Sequence, residues 1–228
     1  MKRIGILGSG AALKPKIIIE TLAKMNISTD KEFVCFTDSK SGAFYEYCKS
    51  IGMETLVFEN DKLNDISSIE IARNANVDIL VSAGWPHKVP VEFLKLFNNV
   101  PINCHGSILP DYRGSRAYMH YWANCEEFYG ATIHFMNDKF DDGNILVQGR
   151  LKSYPEETPT IIHRRIAELC GFLLPIAFTL LETGCSGKRQ EGVKRYFKKL
   201  EIKEFEEYRK YNENHSIQDR KSTPYIVL

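Results

Sequence analysis

Up to residue 105 the sequence alternates short apolar runs with helix-period segments. That alternation restricts the chain to parallel strands joined by crossovers. The apolar runs fall at residues 4–7, 33–36, 55–58, 77–82 and 100–104. Residues 14–25, 42–51, 66–74 and 91–96 read as the helices between them. The implied fold class is α/β: a Rossmann-like, mostly parallel open sheet with flanking helices, whose working edge is the carboxyl ends of its strands. The pattern then changes. Residues 115–124 read as a helix, and strands at 130–136 and 144–151 are close enough to pair as a hairpin or wide turn. A long helix is predicted over 158–182, capped by Thr158, with Pro159 in its first turn, kinked at Pro175 and stopped at Gly184. From Gly192 we expect a short strand, a charged helix at 202–211 and a polar terminus. This divides the chain into a main domain, 1–184, and a small α/β extension, 185–228.

Composition removes several function classes. Lys+Arg total 30 and Asp+Glu 29, a net charge of +1, so no broad basic field for nucleic acid is implied. The densest basic run, Lys194-Arg195-Tyr196-Phe197-Lys198-Lys199, reads as a solvated strand or turn. Cysteines 35, 48, 104, 125, 170 and 185 form no CxxC pair and no zinc spacing, so no metal is expected and buried free thiols are. The apolar stretch at 172–181 is too short to span a bilayer, and the N-terminal apolar run is too short for a signal peptide. A soluble cytoplasmic protein without a membrane partner is expected.

The chemistry gathers at a predicted strand end. Asn103 and His105 are two residues apart, so they share one face of a strand, and a loop containing Pro110, Asp111 and Gly114 follows. An amide can donate to a developing oxyanion, an imidazole can polarise a carbonyl or handle a proton, and a carboxylate can orient the imidazole. Cys104 points away from both polar neighbours, which argues against a nucleophile. Asp141-Asp142-Gly143, taken alone, is a turn signal.

The run Ile102-Asn103-Cys104-His105-Gly106-Ser107-Ile108-Leu109-Pro110-Asp111-Tyr112-Arg113-Gly114, followed by Gly130-Ala131-Thr132-Ile133-His134-Phe135 and Phe140-Asp141-Asp142-Gly143-Asn144, resembles the 10-formyltetrahydrofolate-dependent formyltransferases. The resemblance covers roughly residues 1–180. It implies Asn103, His105 and Asp141 as the catalytic set and direct acyl transfer to an amine, without metal or covalent intermediate. By the same similarity, Trp85, Pro86, His87, Lys88, Val89, Asn137, Asp138 and Phe140 line the folate pocket. Gly8, Ser9, Gly10, Ser107, Tyr112 and Arg113 are the candidate contacts to the amine substrate, with Arg116, Tyr118 and Trp122 as further basic and aromatic candidates.

Departures from the family point to the amine. Methionyl-tRNA formyltransferases are longer and carry a basic C-terminal domain. Glycinamide ribonucleotide enzymes have a phosphate loop like Gly-Asn-Gly-Ser-Asn, where this chain has Gly8-Ser9-Gly10-Ala11-Ala12, and a ribose-binding glutamate where Cys170 stands. The Leu-Pro-Asp-Tyr-Arg-Gly loop and the Arg195-Tyr196-Phe197 tail are more similar to the nucleotide-sugar N-formyltransferases, which formylate an amino-dideoxy sugar. Glycinamide ribonucleotide is the alternative acceptor. A Rossmann oxidoreductase is the alternative of another class, weakened because Leu13 replaces the third glycine of its fingerprint. Val193, Tyr196, Phe197 and Leu200 need cover, and a homodimer is expected to supply it.

Overall fold

The computed structural model describes residues 1–26, 31–58 and 62–228. A seven-stranded sheet has the order β3-β2-β1-β4-β5-β6-β7. Its strands are β1 (Arg3–Leu7), β2 (Glu32–Thr37), β3 (Glu54–Val57), β4 (Ile79–Ser82), β5 (Ile102–His105), β6 (Phe128–Phe135) and β7 (Ile145–Lys152). The first five run parallel, and β6 and β7 are antiparallel to their neighbours. The helices before β5 are α1 (Lys14–Lys24), α2 (Ala43–Ser50), α3 (Ile66–Asn74) and α4 (Val91–Leu94). After it come α5 (Ala117–Ala123), α6 (Pro159–Glu182) and α7 (Ile202–Glu213). Chain order reverses between β1 and β4, which opens a crevice at the carboxyl ends of the central strands.

Both faces of the central parallel strands β1 and β4 are buried, so these strands read as unbroken apolar runs. Ile4, Ile6, Ile79 and Val81 pack beneath α1 and α6, while Leu7, Val34, Phe36 and Leu80 pack with Phe58 and Phe93 on the other face. The Thr158 side chain caps α6, accepting from the Ile161 amide, and Gly184, at φ +75, ends it. Pro175 lies inside one continuous helix.

Several boundaries differ from expectation. Strand β5 starts at Ile102, because Pro101 lacks an amide hydrogen to enter the ladder and Val100 is exposed. Helix α5 starts at Ala117, because Arg116 adopts a left-handed conformation, φ +58. The terminus, expected to be polar, ends in strand β9 (Tyr225–Val227), paired antiparallel with β8 (Arg195–Phe197). The basic run is not simply solvated: Lys194 pairs with Asp142, and Arg195 pairs with Asp111.

The extension packs on the main domain through aromatic rings. Phe197 lies flat on Tyr112, centroids 4.1 Å apart, and it also meets His120 and Tyr225. Leu200 and Phe205 bury against Met119 and Ala123 of α5. The chain itself therefore covers Phe197 and Leu200. Those two residues do not call for a second subunit, while Val193 stays 63% exposed.

Candidate active site

Strand β5 delivers Asn103 and His105 to the carboxyl edge of the sheet. Its antiparallel register with β6 sets Asn103 opposite His134 and His105 opposite Thr132. Cross-strand partners share a face, so His134 comes beside Asn103. The loop after β6 then folds back tightly. A side chain on Gly143 would place its Cβ 1.9 Å from the Phe135 carbonyl oxygen, so only glycine allows this approach. Asp141, at φ +51, is turned into the cluster.

The three expected catalytic groups meet there. His105 Nδ1 lies 3.2 Å from Asp141 Oδ1, and Asn103 Nδ2 lies 3.4 Å from the same oxygen. The Gly114 amide donates to Asp141 Oδ2 at 3.0 Å. Burial alone would push the Asp141 carboxyl up. The charge and hydrogen bond of His105, with a contribution from His134, instead hold it well below its ordinary value. Asp141 is therefore a fixed carboxylate. It faces His105 Nδ1 and the Asn103 amide through the same oxygen.

Each imidazole is held at both nitrogens. His134 Nδ1 sits 2.8 Å from the Phe135 carbonyl, so that nitrogen carries the proton, and Nε2 accepts from Asn103 Nδ2 at 3.1 Å. His105 Nε2 faces the Tyr112 carbonyl at 3.0 Å. Both hydrogens of the Asn103 amide are thus engaged, one of them in the long contact to Asp141. Gln190 braces the loop from the extension side. Its Nε2 donates to the Asp141 and Gly143 carbonyls, each at 2.9 Å, and its Oε1 accepts from Arg113 Nη2.

Two clefts adjoin this cluster. One, of about 380 Å³, is lined by Trp85, Val89, Met136, Phe140 and Asp141, with Asn103 and His134 at its base. The other, of about 270 Å³, is lined by Lys14, His105, Ser115, Arg116, Tyr118 and His163. Asn103, Trp85, Pro86, Gly114 and Ser115 border both, so Asn103 stands where the two meet. Burial, with the nearby Lys14 charge, pushes the His163 imidazole down to about 4, so the ring stacked on Tyr118 is neutral at physiological pH.

Of the predicted donor-pocket residues, Trp85, Pro86, His87, Lys88, Val89, Asn137 and Phe140 line the larger cleft, and Asp138 lines its neighbour. Of the predicted amine contacts, Arg113 borders a groove next to the larger cleft, and Gly8, Ser9, Gly10, Ser107 and Tyr112 are absent from the two clefts. Ser107 is fully buried and donates to the Asp111 carbonyl. Tyr112 is a core residue, 4% exposed, whose hydroxyl donates to Glu126. Arg113 is buried, with Nη1 2.7 Å from Asp142 Oδ1. Gly8 and Gly10 sit against neighbouring backbone, and the Gly10 amide donates to Asp38. From that first loop it is Ala12, Leu13 and Lys14, rather than Gly8, Ser9 and Gly10, that line the smaller cleft. Trp122 lies under Arg209. Sequence reasoning missed His134, Gln190, Lys14 and His163 as site residues. The signal for His134 was its place in a strand able to pair with β5.

The chain belongs to the formyl transferase family: residues 2–177 match the family model. It is 27% identical over 176 residues to the chloroplastic phosphoribosylglycinamide formyltransferase of Arabidopsis thaliana, a match covering 72% of this chain and 60% of that one. It is 28% identical over 197 residues to the GDP-perosamine N-formyltransferase of Brucella melitensis, covering 84% of this chain and 74% of the relative. Glycinamide ribonucleotide transformylase 1 from Symbiobacterium toebii superposes with a TM-score of 0.69 at 23% identity, covering 84% and 95% of the two chains. A sugar N-formyltransferase from Shewanella sp. superposes at 0.63 and 20% identity, covering 84% and 74%.

Proposed function

We propose that this chain transfers a formyl group from 10-formyltetrahydrofolate to the primary amine of a nucleotide-linked amino-dideoxy sugar. The observation that carries the transfer reading is the junction of two clefts at Asn103, with His105 and Asp141 beside it. The larger cleft suits a folate. Its volume falls in the range of small-molecule sites, and its walls combine the apolar faces of Trp85, Val89, Met136 and Phe140 with loop backbone. The smaller cleft takes the amine.

In this reading the amine lone pair attacks the formyl carbon and the formyl oxygen becomes an oxyanion. The Asn103 hydrogen held weakly by Asp141 at 3.4 Å turns to that oxygen, while the one on His134 keeps the amide in plane. The carbon–nitrogen bond to the folate then breaks. The amine gives up its proton and the folate nitrogen gains one. Solvent relays the proton between them beside His105, whose ring is held by the Asp141 carboxylate and the Tyr112 carbonyl.

Two observations favour a sugar nucleotide as acceptor over glycinamide ribonucleotide. Cys170, at the position of the ribose-binding glutamate, is completely buried among core residues that include Cys104. A thiol there cannot hold two ribose hydroxyls. The smaller cleft instead presents the neutral Tyr118–His163 stack, a surface for a sugar ring, with the cations Lys14 and Arg116 for phosphate. No carboxylate lines it among the described residues. The Brucella relative is itself a GDP-perosamine enzyme. Incubating the protein with 10-formyltetrahydrofolate and each amine in turn, and following the folate absorbance, tests the reading.

A further inference from the structure

Tyr196 lies beyond the family-matched segment 2–177, yet it lines the same cleft as Asn103, His134 and Asp141. Its position is fixed by backbone bonds on either side. The Arg113 amide donates to the Arg195 carbonyl, and the Phe197 amide to the Arg113 carbonyl, both at 3.0 Å. Strand alternation turns Arg195 and Phe197 to the aromatic cluster, and Tyr196 to the cleft. The ring is pressed on the backbone that carries Asp141's partner. A Cβ at Gly114 would lie 3.1 Å from Tyr196 Cζ, the atom bearing the hydroxyl, and the Gly114 amide is the one that donates to Asp141. The phenol is therefore close to the catalytic carboxylate, and burial together with the Asp141 charge pushes it up, keeping it protonated. Among the described residues its hydroxyl has no hydrogen-bond partner, whereas the expected oxyanion donors, Asn103 and His105, are both already engaged.

We infer that Tyr196 is a further catalytic residue, whose hydroxyl donates a hydrogen bond to the formyl oxygen of the bound folate and to the oxyanion formed from it. The inference rests on the formyl-transfer reading but not on the identity of the amine. No bond to Tyr196 forms or breaks, and its proton stays in place throughout. In consequence the C-terminal extension contributes to the reaction centre, and the family-matched segment alone lacks one of its donors.

The test compares Tyr196→Phe, which keeps the ring on Gly114, with wild type in calorimetric binding of two stable folates, 10-formyl-5,8-dideazafolate and its formyl-free parent. Wild type is expected to prefer the formylated compound about threefold to tenfold, the worth of one hydrogen bond, and Tyr196→Phe to lose that preference with an unchanged melting temperature. Turnover of Tyr196→Phe is expected to fall about a hundredfold, as for loss of an oxyanion donor. A variant that keeps the wild-type preference overturns the role of Tyr196 alone. Failure of wild type to bind either folate overturns the formyl-donor reading and this assignment with it.

Discussion

His105 Nδ1 and Asp141 Oδ1 are 3.2 Å apart, though one residue ends a parallel strand and the other sits at the turn of an antiparallel pair. The contact joins the two halves of the sheet. Replacing Asp141 with Asn keeps the shape but removes the carboxylate charge that His105 Nδ1 faces. Turnover is expected to fall by two to four orders of magnitude, read from folate absorbance, with folding confirmed by circular dichroism. Near-normal turnover would remove Asp141 from the catalytic set.

The same contact sets a pH dependence of stability. The Asp141 carboxyl is held below its unfolded value of about 3.9. Its contribution is fully present above that pH and is lost as pH falls through the lower folded value. Urea unfolding between pH 7 and pH 3 should show wild type losing stability below about pH 4. Asp141→Asn should lack that share of the loss. Parallel curves for the two proteins would contradict the pairing.

Arg113 distinguishes a structural cation from a substrate-binding one. It is buried, with Asp142 and Gln190 on its guanidinium. Arg113→Ala leaves Asp142 with Lys194 and the buried Gln190 Oε1 without its donor, and is expected to cost about 1–3 kcal/mol of unfolding free energy. Unchanged stability with a raised KM for the amine would restore Arg113 to the substrate site.

Phe197 tests how far the extension is part of the main core. It is fully buried between Tyr112, His120 and Tyr225. Phe197→Ala is expected to cost about 3–5 kcal/mol, with a single cooperative transition in denaturant. Two separate transitions would show that the extension folds on its own.

What the sequence shows and what it hides follow from the range of the contacts. Asn103 and His105 are legible because a strand end is a local pattern and its residues share a face. The parallel sheet is legible because buried strands are uniformly apolar. His134 and Gln190 enter the site only through pairings distant in sequence, β5 with β6 and the extension with the Asp141 loop. No local periodicity carries those. For Ser107, Tyr112 and Arg113 it is the engagement of the side chains that the sequence hides. A polar loop residue looks available until its partners are known, and here the partners are Asp111, Glu126 and Asp142. The cover over Phe197 is hidden in the same way, since Tyr112 and Tyr225 supply it.

The most direct measurement is turnover of 10-formyltetrahydrofolate with a panel of amines: GDP- and dTDP-linked amino-dideoxyhexoses and glycinamide ribonucleotide. Saturable formylation of one amino sugar, abolished in His105→Ala, is the predicted result. Turnover confined to glycinamide ribonucleotide would contradict the reading of Cys170 and the Tyr118–His163 cleft, and consumption of the folate with none of these amines would contradict the proposed acceptor class.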